Sequence, residues 1–211
     1  MAATDLFAAS GIALALCAAW LRAYCRFSGH DHAIHAAPAP VKVVTLVIFV
    51  LLLIPMPGAG VALAAFLRGF SADLSITLIA LCALSLLRGL QGATAVNQRE
   101  LFVLMCAVAA AALLLYPTAL GWGDWDAYRL GWGAGWGTWL FLFVLADVCL
   151  ISAALGLRVL PAVVALSVLA WSLSLMESTN LWDYLLDPWL SVFAIGFVFI
   201  KCLRAAFGFW R

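Results

Sequence analysis

Hydrophobic positions along this chain fall in long unbroken runs. They show neither the alternation of a half-buried strand nor the narrow stripe of a surface helix. Seven runs are bounded by charges or by Gly/Pro clusters: 6–25, 42–56, 74–90, 101–118, 138–157, 159–176 and 188–204. At about 1.5 Å of rise per residue, about 20 apolar residues cross the hydrocarbon of a bilayer, with about 17–25 as the working range. Six runs meet that length. The second stops early at Pro55-Met56-Pro57-Gly58. It either continues past a proline kink towards Arg68 or gives way to a separate interfacial helix at 60–69, and both options leave the chain on the same side. The predicted fold is therefore all-α: a polytopic transmembrane bundle of seven spans, forming one integral membrane domain over 1–211.

Composition agrees. The chain is 67% hydrophobic and only 10% charged, with a mean hydropathy of +1.14. An ordinary soluble domain is about 25% charged, and 21 charged side chains (11 Lys and Arg, 10 Asp and Glu) cannot cover a water-soluble globule of 211 residues. A soluble enzyme and a disordered scaffold are excluded. A net charge of +1 leaves no basic surplus for nucleic acid.

Where the charges fall sets the orientation, because Lys and Arg concentrate in cytoplasmic loops. With the amino terminus outside, Arg22, Arg26, Lys42, Arg88, Arg99, Arg158, Lys201, Arg204 and Arg211 lie on the cytoplasmic side, as does the carboxyl terminus. Only Arg68 and Arg129 fall outside. Among the acids, Asp5, Asp73, Asp124, Asp126, Glu177, Asp183 and Asp187 lie outside, against Asp31 and Glu100 inside. Gaining or losing one span would scramble this partition. No Lys or Arg precedes the first apolar run, whereas Arg22 and Arg26 follow it, which is the reverse of a secretory signal. The first run is expected to be a retained helix. The six cysteines form no CxxC pair and read as small packing residues. The Ala/Leu- and Trp-rich composition without long loops suggests a bacterial cytoplasmic (inner) membrane.

Local signals place helix ends. Pro161 falls in the first turn of the sixth span, and Asp187-Pro188 reads as an N-cap followed by a proline at the first helical position. Asn180 is positioned to cap a short helix over 181–186, with Asp183 near its positive end.

Candidate chemistry gathers in three outer segments. They carry Arg68 and Asp73; Asp124, Trp125, Asp126 and Arg129; and Glu177, Asn180, Trp182 and Asp183. Carboxylates that accept hydroxyl hydrogen bonds, arginines that fork onto phosphate and aromatic faces that stack on sugars suit a lipid or glycan headgroup. The same residues also serve as helix caps and an interfacial aromatic belt, with Arg68 and Arg129 paired locally to Asp73 and Asp126. Asp147, in the middle of the fifth span, costs about 2.5–3.5 kcal/mol to insert and so marks a functional or packing-critical position. It is read either as a titrating proton carrier or as a carboxyl bonded to Ser172 or Ser174 of the next span.

His30, His32 and His35, with Asp31, have a spacing that can hold Zn²⁺ or Ni²⁺, but the loop has no second ligand cluster, so no resident metal or other cofactor is expected. These are the only histidines, which rules out a bis-histidine haem within the bilayer and a Ser-His-Asp triad on the outer face. No Walker A loop, dinucleotide fingerprint, HExxH or GxSxG occurs.

Three functions fit. The favoured one is a non-catalytic accessory subunit of the cell envelope that handles a headgroup at the outer leaflet, contacts membrane lipids and associates with a membrane protein partner or a second copy. The second is a small proton-linked transporter using Asp147. The third is an outer-face transferase with Asp124, Asp126 or Asp183 as general base.

Overall fold

A computed structural model describes residues 3–28, 36–92, 96–133 and 135–208. Among these the regular structure is helical: α1 Ala3–Ser28, α2 Ala39–Leu53, α3 Leu63–Ser71, α4 Ile76–Gln91, α5 Gln98–Ala119, a 3₁₀ turn Ala127–Gly131, α6 Trp136–Ala154, α7 Val159–Ser172, α8 Leu181–Leu185 and α9 Pro188–Phe207. Four of them, α1, α5, α6 and α9, are long and apolar enough to cross a membrane; α2, α4 and α7 are shorter apolar helices. The chain is thus an all-helical protein with the segments of a membrane protein.

Proline and backbone geometry set the shorter lengths. Pro55 disfavours helical geometry at the residue before it, and Ile54 is extended at φ −76°, ψ 133°. A tight turn follows, closed by an isolated bridge between Pro55 and Ala62. The helix beyond it, α3, is separate from α2 and nine residues long. Farther along, α7 ends at Ser172, and Ser174 adopts φ 51°, which no helix continues.

Contacts divide the chain into two compact units. The first comprises Met1–Ala95 with Leu175–Glu177. Here α1 packs on α2, α3 and α4. Its buried stripe is dominated by small residues, including Ala8, Ala9, Ala13, Cys17 and Ala18, and small side chains let helix backbones approach closely where hydrocarbon supplies no hydrophobic drive. Ala9, Ile12 and Ala13 meet Leu52, Ala64 and Leu74 in one core cluster, while Leu21, Ala37 and Val41 form another. At the second cluster a Cβ on Gly89 would stand 2.5 Å from Leu21 Cδ2, so glycine permits the closeness of α1 and α4. One end of this unit holds Asp5, Arg68, Asp73 and Glu177; the other holds Arg22 and Arg88.

The second unit comprises Val96–Ser174 with Ser178–Arg211. In it α5 packs on α9 and α7, α6 on α7, and both the 3₁₀ turn and α8 join one end. Asp187 caps α9 by accepting from Leu190 N at 2.9 Å, with Pro188 at the first position. At the opposite end the Glu100 carboxylate of α5 accepts from the N–H groups of Arg158 (3.2 Å) and Val159 (2.9 Å). The residue at the start of α7, Arg158, makes no side-chain cap of its own. Glu100 therefore satisfies orphan donors of α7 and places negative charge at its positive end.

Candidate functional site

The polar segments singled out in the sequence resolve into two clusters, one in each unit, and some unattached residues. In the first unit, Arg68 near the end of α3 is surrounded by carboxylates. Its Nε and Nη2 donate to the two oxygens of Asp73 at 2.5 and 3.0 Å, Nη1 donates to Asp5 at 2.8 Å, and Nη2 also pairs with Glu177 at 3.0 Å. The bidentate fork closes because the chain turns back between Arg68 and Asp73 through Ala72, at φ 56°. Four of the five guanidinium N–H directions are thereby engaged. The hydrogen bond to Asp73, with further help from Glu177 and Asp5, holds the Arg68 pKa above its ordinary value. Local pairing of Arg68 with Asp73 is present as expected, and Asp5 and Glu177 extend it into a clasp tying the start of α1 to the end of α3.

The second cluster is a hydrogen-bonded plug built from the 3₁₀ turn and the segment around α8. Asp183 accepts from Tyr128 Oη at 2.8 and 3.0 Å and from Ser178 Oγ. Asn180 is fully buried. Its Oδ1 accepts from Trp182 N at 3.0 Å, which caps α8, while its Nδ2 donates to Tyr128 O at 3.0 Å. Trp182 donates its indole N–H to Ala127 O at 2.9 Å and stacks on Phe141, with ring centroids 4.4 Å apart. Tyr184, also fully buried, donates to Ser178 O at 3.0 Å. Gly131 lies directly beneath the cap: a Cβ there would sit 1.9 Å from Asn180 Oδ1. Burial, then the hydrogen bond to Asp183 and its charge, pushes the Tyr128 phenol pKa well above the ordinary tyrosine range.

The remaining candidates take no part in the side-chain networks of the two clusters. Asp126 is engaged as the cap of the 3₁₀ turn, accepting from Tyr128 N at 2.9 Å. The expected Asp126–Arg129 ion pair does not form, because that carboxylate is turned to its own backbone. Arg129 is exposed, as are Asp124 and Trp125. Trp122, Trp132, Trp136 and Trp139 are exposed as well, in keeping with an interfacial belt. The predicted histidine loop of His30, His32 and His35 lies outside the described residues.

Asp147 lies on the open face of α6: Phe143, Val144, Leu150 and Ile151, three and four positions to either side of it, are exposed, while Thr138, Phe141 and Ser152 pack on the opposite side of the helix. It is half-buried and makes no hydrogen bond or ion pair among the described residues. The expected bond to Ser172 or Ser174 is absent: Ser172 Oγ instead donates to Leu169 O of its own helix at 2.8 Å. Among the described residues no group of three or more His, Cys, Asp or Glu side chains comes together to hold a metal.

Sequence reasoning missed several polar residues. Tyr128, Ser178 and Tyr184 close the plug, and Glu100 caps α7. Two arginines, Arg22 and Arg88, line a cavity at the basic end of the first unit. Only the surplus of Arg expected on the cytoplasmic side hinted at the last pair. No protein-family model, curated protein or solved structure matches the chain.

Proposed function

We propose that this chain is a non-catalytic, multi-pass membrane subunit that associates with another membrane protein through α6 and contacts a lipid or glycan headgroup at its tryptophan-rich outer rim. In this reading the chain makes seven passes through a bacterial inner membrane, with α2, α4 and α7 spanning alongside the four longer helices, the amino terminus outside and the carboxyl terminus cytoplasmic. The observation that carries it is Asp147. An aspartate without a protein partner in the hydrocarbon is costly, and the cost falls when a neighbouring helix donates hydrogen bonds to it. The uncovered face of α6 around it supplies the surface for such a neighbour. The engagement of the outer acids supports the absence of catalysis: Asp73, Asp126 and Asp183 are held by an arginine, a backbone N–H, and a tyrosine and serine respectively. That leaves Asp124 alone among the three proposed general bases without a structural bond among the described residues.

Purification of the tagged chain in mild detergent tests the reading. A stoichiometric membrane partner is expected with the wild-type chain and is expected to be lost with Asp147→Leu, while the melting temperature holds or rises. A solitary protein in both preparations would overturn it. The same unpaired carboxylate favours one second reading, a proton-linked carrier. In that case Asp147→Asn abolishes proton movement in proteoliposomes and leaves any partner attached.

A further inference from the structure

The basic end of the first unit contains a cavity of about 180 Å³ between α1 and α4, lined by Leu21, Arg22, Ser85, Arg88 and Gly89. Among the described residues its polar lining is two guanidinium groups and a hydroxyl, with no carboxylate. Arg22 donates through Nε to Ser85 Oγ at 3.0 Å, which fixes the plane of its guanidinium. Its two terminal amino groups make no hydrogen bond or ion pair among the described residues. Arg88 is still less satisfied: its Nε is buried and has no hydrogen-bond partner among them. The contrast with Arg68, four of whose N–H directions meet carboxylates, is plain.

A buried donor left unpaired is unfavourable, and two guanidinium groups at one cavity repel each other unless an anion sits between them. Arginine's planar fork matches oxyanions that can accept several hydrogen bonds, phosphate foremost. Basic pockets at the polar ends of apolar helices are suited to lipid headgroups. Leu21 gives the cavity one apolar wall.

We propose that the Arg22–Arg88 cavity binds a phosphate group, carried either by an anionic phospholipid headgroup or by a soluble phosphate. Arg88 grips it through its unpaired Nε and terminal amino groups, and Arg22, held by Ser85, closes on it from α1. This site lies at the opposite end of its unit from the Arg68 clasp and is independent of the proposed role of Asp147.

Calorimetric titration of the full chain in uncharged detergent tests the proposal, using inorganic phosphate and, separately, a short-chain phosphatidylglycerol. Saturable one-to-one binding of at least one probe is expected. Arg22→Gln and Arg88→Gln should each weaken it about tenfold or more, while Arg204→Gln, an exposed cation on α9, leaves it unchanged. Arg88→Lys keeps the charge without the fork and should weaken binding less than Arg88→Gln, which also serves if the glutamine variant fails to fold. Binding of phosphatidylglycerol alone identifies a lipid headgroup site; binding of inorganic phosphate, with or without the lipid, identifies a site for the phosphate group itself. If neither probe saturates, or if Arg204→Gln weakens binding as much as Arg88→Gln, the proposal is wrong.

Discussion

Tyr128 shows how much one side chain holds in place. Its hydroxyl donates to Asp183, its carbonyl accepts from Asn180, and its ring meets Trp132 edge-on at 5.7 Å. Because burial and Asp183 raise its pKa above the ordinary value of 10.0, the folded state favours the neutral phenol. That stability is fully present below pH 10 and is lost as pH rises further, since the unfolded chain then releases the proton while the folded chain retains it. Tyr128→Phe removes both the hydrogen bond and the titration. The variant is expected to be less stable than wild type at neutral pH and to lose less stability above pH 10. Thermal melts across that range check this, and parallel slopes for the two proteins would refute it.

At the level of elements, what can be read from sequence divides by distance along the chain. The caps at Asn180 and Asp187-Pro188 are legible because a cap and the N–H groups it satisfies lie within a few residues of each other. The break after α2 is legible for the same reason, since Pro55 acts on the residue before it. Glu100 is different. Its partners on α7 lie 58 and 59 positions away, and no spacing rule connects them. Tyr128 and Asp183 are 55 positions apart and equally hidden. Segment composition likewise identified the polar turns as important without saying that most of their acids would be used up in holding helices. Removing the Glu100 carboxylate leaves two N–H groups of α7 without a cap. Glu100→Ala is expected to lower stability by about 1–2 kcal/mol, whereas Glu100→Gln, which keeps an acceptor, costs less. Denaturation in detergent distinguishes them, and an unchanged alanine variant would show that water caps α7 equally well.

On the scale of the whole molecule, charge and fold tell one story within each unit. The Arg68 clasp and the Arg22–Arg88 cavity occupy opposite ends of the first unit, and the Tyr128–Asp183 plug and the Glu100 cap occupy opposite ends of the second. The proposed orientation makes a direct prediction for the intact protein. In a background lacking the native cysteines, Trp125→Cys should react with an impermeant maleimide on whole spheroplasts, and Arg99→Cys only after the membrane is opened. The reverse pattern would invert the topology and move the tryptophan rim to the cytoplasm. The plug also has a consequence for biogenesis. Residues 127 and 128 leave the ribosome some fifty residues ahead of Asn180, Trp182 and Asp183, the side chains that latch them. During translation the Ala127 and Tyr128 carbonyls therefore lack these partners until the chain beyond α7 has been made, and the plug of the second unit closes only when α8 follows.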